Sequence, residues 1–193
     1  MKKIMLSIFA LGTLAINAQD ATGFSKGSVA LNGEVGNLTT KVLDAKVSPS
    51  LSYFVTDNIA LKGGLNFGNQ SGTSAGVSTG ESSGFGINVG ANYFFTKGVF
   101  SPFIGANVEF GSGSTKSAGA NPTETKTSSV GLNLAPGVNA FLSKRFAINA
   151  TFGNLGYSST TNTSATNVET VSNNFGLDFN MNSLRLGVTF LVK

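Results

Sequence analysis

Four charged residues stand out by position: Glu34, Lys62, Glu109 and Arg185. Each lies in a segment where apolar and polar residues alternate, and each falls on the polar parity. Alternation with period two marks a half-buried strand, so all four side chains are expected on one side of a sheet. Charges on an enclosed face need partners. Two acids and two bases can neutralise one another and fill space, or they can exchange partners as an ion passes. The first arrangement is a structural plug and the second is a gate. Glu34 and Arg185 lie on the first and last strands, so a pair between them is expected if those strands are neighbours.

Other chemistry is scarce. The chain has no His and no Cys, which removes the commonest metal ligand, a frequent general base and all thiol and disulfide chemistry. A Ser-His-type hydrolase site is therefore excluded, no cluster of metal ligands is visible, and the chain reads as a non-enzyme without cofactor. The stretch "GSGSTKS" at Gly111–Ser117 has the look of a phosphate loop. It lacks the Gly directly before the Lys, and no helical pattern follows it, so it reads as an ordinary loop.

The elements that position the four charges are strands. In the segment 47–67, Val47, Pro49, Leu51, Tyr53 and Val55 alternate with Ser48, Ser50, Ser52 and Phe54. After Thr56-Asp57-Asn58 the pattern resumes with Ile59, Leu61, Gly63, Leu65 and Phe67. Two such runs joined by a few polar residues make a hairpin. The same phrase returns at 85–110 and at 130–152, and single strands begin at Val29 and Leu184, giving eight strands in all. The connections at 56–58, 96–99 and 143–145 are short; those at 37–46, 69–83, 112–128 and 158–173 are long, polar and mostly Gly/Ser/Thr-rich. Strict alternation of short and long connections predicts an all-β, antiparallel, up-and-down eight-stranded transmembrane barrel with short periplasmic turns and long extracellular loops.

The apolar parity supports that architecture. It holds no Lys, Arg, Asp or Glu in any of the eight strands, as a lipid-facing wall requires. Closure leaves no strand edge unpaired in hydrocarbon. The opposite parity is small and polar, except for Phe54, Phe94 and Phe141 beside the short turns, where a narrow lumen can hold them. Tyr53, Tyr93, Phe95, Phe100, Phe146 and Phe190 lie near the short-turn ends and are expected to form an interfacial girdle. Two features disturb the pattern. Pro136 interrupts the sixth strand, which predicts a bulge there. The parity of Phe175, Leu177, Phe179 and Met181 is opposite to that from Leu184 onward, which predicts a second bulge near Asn182-Ser183 or an extension of 174–181 above the membrane.

Composition agrees. Residues 1–18 carry Lys2 and Lys3, then an apolar run from Ile4 to Ile16 and Asn17-Ala18 before Gln19, too short to span a bilayer and of signal-peptide form; residues 19–193 make one domain. Without that leader, 11 basic residues face 9 acidic ones (net +2), and no basic cluster offers itself to nucleic acid. Charged residues make up only 11% of the chain, where about a quarter is usual.

The leader, the eight alternating strands, the "YF" pairs at strand ends and the final "LRLGVTFLVK" resemble the outer-membrane β-barrel protein family common in Bacteroidetes-type bacteria, and more distantly the OmpX and OmpA-type eight-stranded barrels. The resemblance implies a cell-envelope protein of the outer membrane, with membrane lipid and the barrel-assembly machinery as partners and Phe190 as the aromatic of the assembly signal. Its role is expected to be structural or surface-interacting, with the loops meeting an extracellular partner. The alternatives are a narrow porin-like channel for ions or very small solutes, and a soluble barrel that binds a small apolar ligand.

Overall fold

The computed structural model describes residues 24–36, 46–74, 77–118, 123–179 and 184–192. Residues 1–18, expected as a leader, and 182–183, where a bulge was expected, lie outside the described residues.

Among the described residues ten strand segments occur: β1 Val29–Gly36, β2 Lys46–Phe54, β3 Ile59–Ser74, β4 Val77–Phe94, β5 Phe100–Ser117, β6 Glu124–Phe141, β7 Phe146–Thr151, β8 Asn154–Thr163, β9 Glu169–Asp178 and β10 Arg185–Leu191. β7 and β8 both pair with β6, and together they make one broken stave. β9 pairs with β8 and β10 with β7, forming another. The staves therefore number eight. β1 closes onto β10, from Ala30 opposite Leu191 to Gly36 opposite Arg185. The result is a closed antiparallel eight-stranded barrel.

The wall is apolar outside and polar inside. Leu31, Leu51, Leu61, Ile87, Val89, Val108, Leu132 and Val188 are exposed on the outer face, Val89 by 59%. Glu34, Ser50, Ser52, Asn139, Asn149 and Thr189 are buried on the inner face. A soluble barrel around an apolar ligand needs the reverse distribution, so that alternative fails.

The six aromatics expected as an interfacial girdle lie at the short-turn end of the wall. Tyr53, Tyr93, Phe95, Phe100 and Phe190 are exposed near the short turns, and Phe146 pairs with Phe190 across β7 and β10. Tyr93 and Phe95 meet edge to face at 5.3 Å. A second girdle, which the sequence reading did not single out, includes Phe67, Phe85, Phe110, Tyr157 and Phe175, with Phe67 and Phe85 at 5.5 Å. Ten residues separate Phe100 from Phe110 on β5. At roughly 3.4 Å per residue and a tilt near 40° this is about 26 Å of height, the thickness of an outer-membrane apolar band.

Much of three stretches expected as loops is strand instead. β3 runs to Ser74, β4 starts at Val77, β5 runs to Ser117, β6 starts at Glu124, and β8 and β9 reach Thr163 and Glu169. Above the upper girdle both faces of these hairpins meet water, so nothing selects apolar residues on one parity, and the period-two signal fades although the strand persists. The connection at 37–46 falls almost wholly outside the described residues.

The bulge expected in the strand of Pro136 sits in its neighbour. β6 keeps an unbroken register with β5 through Ile104 opposite Pro136. On its other edge, Gly137 faces Thr151 and Leu134 faces Leu155, so three steps on β6 match four on the partner stave. The extra residue lies at Phe152-Gly153, where Phe152 N–H donates to the Pro136 carbonyl at 3.0 Å. Pro136 has no N–H to return, and the partner bends around the missing donor. Gly153 takes φ +78° there, a conformation that costs other residues energy.

Candidate functional site

The lumen is built in layers. At the short-turn end Phe54, Phe94 and Phe141 point inward and are joined by a residue outside every strand, Phe24. Its ring stacks on Phe54 at 4.3 Å and meets Phe94 at 4.6 Å and Phe141 at 4.9 Å. Phe103 extends the cluster, 5.3 Å from Phe94, in space left by the missing side chain of Gly137. Ala30, Ala60, Ala147 and Leu191 complete a dry floor.

Phe24 is held by the segment behind it. Ser28 N–H returns to the Ser25 carbonyl at 3.0 Å, and Gly27 has φ +84°, the value a type II turn demands at its third position. Gly27 N–H donates to the Phe54 carbonyl at 2.8 Å, and Phe54 N–H to that of Ser28 at 2.9 Å. Lys26 N–H donates to Asp57 Oδ1 at 2.8 Å, and Lys97 Nζ lies 2.9 Å from Asp57 Oδ2. These contacts, the Lys26 N–H first and the Lys97 ammonium next, hold the Asp57 carboxyl below its ordinary value. Nothing in the sequence pattern marks Phe24: it is a lone aromatic in a polar segment without periodicity.

Above the floor runs a chain of hydrogen bonds across the closing seam. Asn149 Nδ2 donates to Thr189 Oγ1 (3.0 Å), Thr189 to Asn32 Oδ1 (2.9 Å), and Asn32 Nδ2 to Ser52 Oγ (2.9 Å). The first and last strands are thus joined by neutral groups.

The four charges expected in the lumen all line one cavity of about 230 Å³. Their partners differ from expectation. Lys62 Nζ donates to Glu34 Oε1 at 2.6 Å, whereas Arg185 was the expected partner. The register accounts for the difference: Glu34 faces Gly187, and Arg185 faces Gly36, one inward position higher. The long Lys62 stem instead reaches across β2. Glu109 accepts from Asn66 Nδ2 at 2.9 Å, and Asn66 Oδ1 accepts from Asn88 Nδ2 at 3.1 Å. Asp178 joins the lining; the sequence missed it because the parity change after β9 hid which face it takes. Among the described residues no group of acidic residues is arranged to hold a metal.

This architecture is shared. The N-terminal β-barrel domain of Pseudomonas aeruginosa OprF superposes with a TM-score of 0.52 at 15% identity, over 86% of this chain and 98% of that one. The Pseudomonas aeruginosa outer membrane protein OprG superposes with a TM-score of 0.59 at 11% identity, over 89% and 99%. At such identities the likeness is one of fold. A search of curated proteins found no match. The sequence pattern of the outer membrane protein beta-barrel domain matches residues 6–190. That match spans nearly the whole chain, and it agrees with the lipid-ready wall, the paired girdles and the closed stave order: the chain belongs to the outer membrane protein beta-barrel family.

Proposed function

We propose that the protein is a sealed outer-membrane barrel with a structural or surface-interaction role, one that presents its tall hairpins to the exterior and does not conduct. The observation that carries this reading is the aromatic floor, where Phe24, Phe54, Phe94 and Phe141 close the bore at the short-turn end. Four stacked or tilted rings, each pair worth about 0.5–1.5 kcal/mol beyond its buried area, leave no polar path for an ion. In this reading residues 1–18 direct export, Phe190 serves insertion by the assembly machinery, the short turns face the periplasm, and the work is not catalytic. Planar-bilayer recordings test it. Wild-type protein at neutral pH is expected to stay silent, and a steady conductance would overturn the sealed reading.

The second reading, a narrow channel, is favoured by the polar cavity above the floor and its charges Glu34, Lys62, Glu109 and Arg185. It requires the floor to open. Recordings silent in both wild type and Arg185→Ala would count against a charge-operated gate.

A further inference from the structure

We propose that the upper lumen is a dead-end cup for a small, neutral, polyhydroxylated solute such as a monosaccharide. The cavity lies directly above the aromatic floor, with Phe103 among its lower walls and the exposed Arg185 at its rim. Its volume is about 230 Å³, room for roughly eight waters at ~30 Å³ each or for one such solute.

The wall chemistry selects the class. Asn66, Asn88, Asn92, Asn107 and Asn133 converge on the cavity from four successive staves, with Ser50 from β2. Amides and hydroxyls both donate and accept, as sugar hydroxyls do. The charges do not call for an ion. Glu34 is already neutralised by Lys62 at 2.6 Å, and Glu34, Glu109 and Asp178 against Lys62 and Arg185 leave a formal charge of only −1 for the five lining residues. The Phe103 ring offers the apolar patch that sugar C–H groups use.

Two wall atoms point to an occupant. Among the described residues Ser50 Oγ and Asn107 Oδ1 are shut off from solvent and have no hydrogen-bond partner; Ser50 is only 8% exposed. An unpaired buried acceptor is costly to leave so. Asn107 Oδ1 rests against the backbone at Gly90, where a side chain would collide with it. Turning that amide about its terminal torsion carries the oxygen into the cavity, where a ligand hydroxyl can donate to it.

The cup rests on the sealed-barrel reading only in being a dead end, and conductance tests that part separately. Binding is tested by NMR on the full barrel in phosphocholine micelles, which carry no sugar headgroup, following the Asn side-chain amides as glucose is added. Saturable shifts in the lumen asparagines at millimolar glucose are expected. They should weaken about tenfold, the order of one or two lost hydrogen bonds, in Asn107→Leu and in Ser50→Val, each checked for folding by gel mobility without boiling. No saturable shift with glucose, equal shifts in folded variants, or an equal response to glycine in place of glucose would each overturn the proposal.

Discussion

Lys26 and Asp57, thirty-one positions apart, meet through one hydrogen bond: the Lys26 backbone N–H donates to Asp57 Oδ1 at 2.8 Å. The same carboxylate holds Lys97 at 2.9 Å. A single acid on a short turn therefore ties the segment that carries Phe24 to two neighbouring hairpins. In the sealed-barrel reading, the aromatic floor depends on a latch outside the lumen.

That latch is expected to weaken in acid. The Lys26 N–H and then Lys97 hold the Asp57 carboxyl below its ordinary value. A depressed folded value means the contribution is fully present above the unfolded value, near 4 for an Asp, and is lost as pH falls through the folded one. Planar-bilayer recordings of wild type are expected to stay quiet at neutral pH and to show brief openings only below about pH 4. Asp57→Asn should remove the difference between the two conditions. An identical acid response in wild type and variant would dismiss the latch.

Phe24 is 3% exposed and belongs to no strand. Phe24→Ala should leave the staves paired and the unboiled gel mobility unchanged, while the bore opens at the short-turn end. Burial losses for such a substitution run to about 3–5 kcal/mol in dry cores, and the value should fall below that range where water can enter. Liposome-swelling rates with small solutes should rise in the variant; unchanged rates would show that the other rings suffice.

The Lys62–Glu34 pair is largely buried, at 13% and 11% side-chain exposure. Removing one partner strands a charge. Lys62→Met should cost about 2–4 kcal/mol, under the roughly 3–5 of a fully dry site because the cavity above is polar. Adding Glu34→Leu should recover most of the loss. The folded fraction by gel mobility against urea measures both, and equal stability of the single and double variants would show that the pair does not matter.

Val89 stands on the outer wall midway between the girdles. Val89→Lys is expected to cost about 2–4 kcal/mol in vesicle folding titrations, the penalty of a lysine at the midplane. Ser128→Lys, on an exposed part of the β5–β6 hairpin, should cost almost nothing. Equal effects at the two sites would place the membrane band elsewhere on the barrel.

Legibility in the sequence followed the membrane. Wherever one face meets lipid, as at Leu61-Lys62-Gly63 or Val108-Glu109-Phe110, parity reports both strand and side. Where both faces meet water, as from Gly111 to Ser117, the residues are strand but carry no alternation, and a loop was the natural reading. The inward position of each charge followed from parity, but its partner did not. Pairing depends on stagger between staves, and that set Glu34 against Lys62 instead of Arg185. Phe24 was invisible because its partners come from three separate hairpins.

The floor also keeps time. Phe24 precedes every stave in the chain, yet Phe54, Phe94 and Phe141 each end one strand of a different hairpin. The ring cannot find its full set of neighbours until the third hairpin has been laid in place and its last turn has formed. A barrel caught half-assembled is therefore a tube with an open base, and a shut base marks a finished molecule.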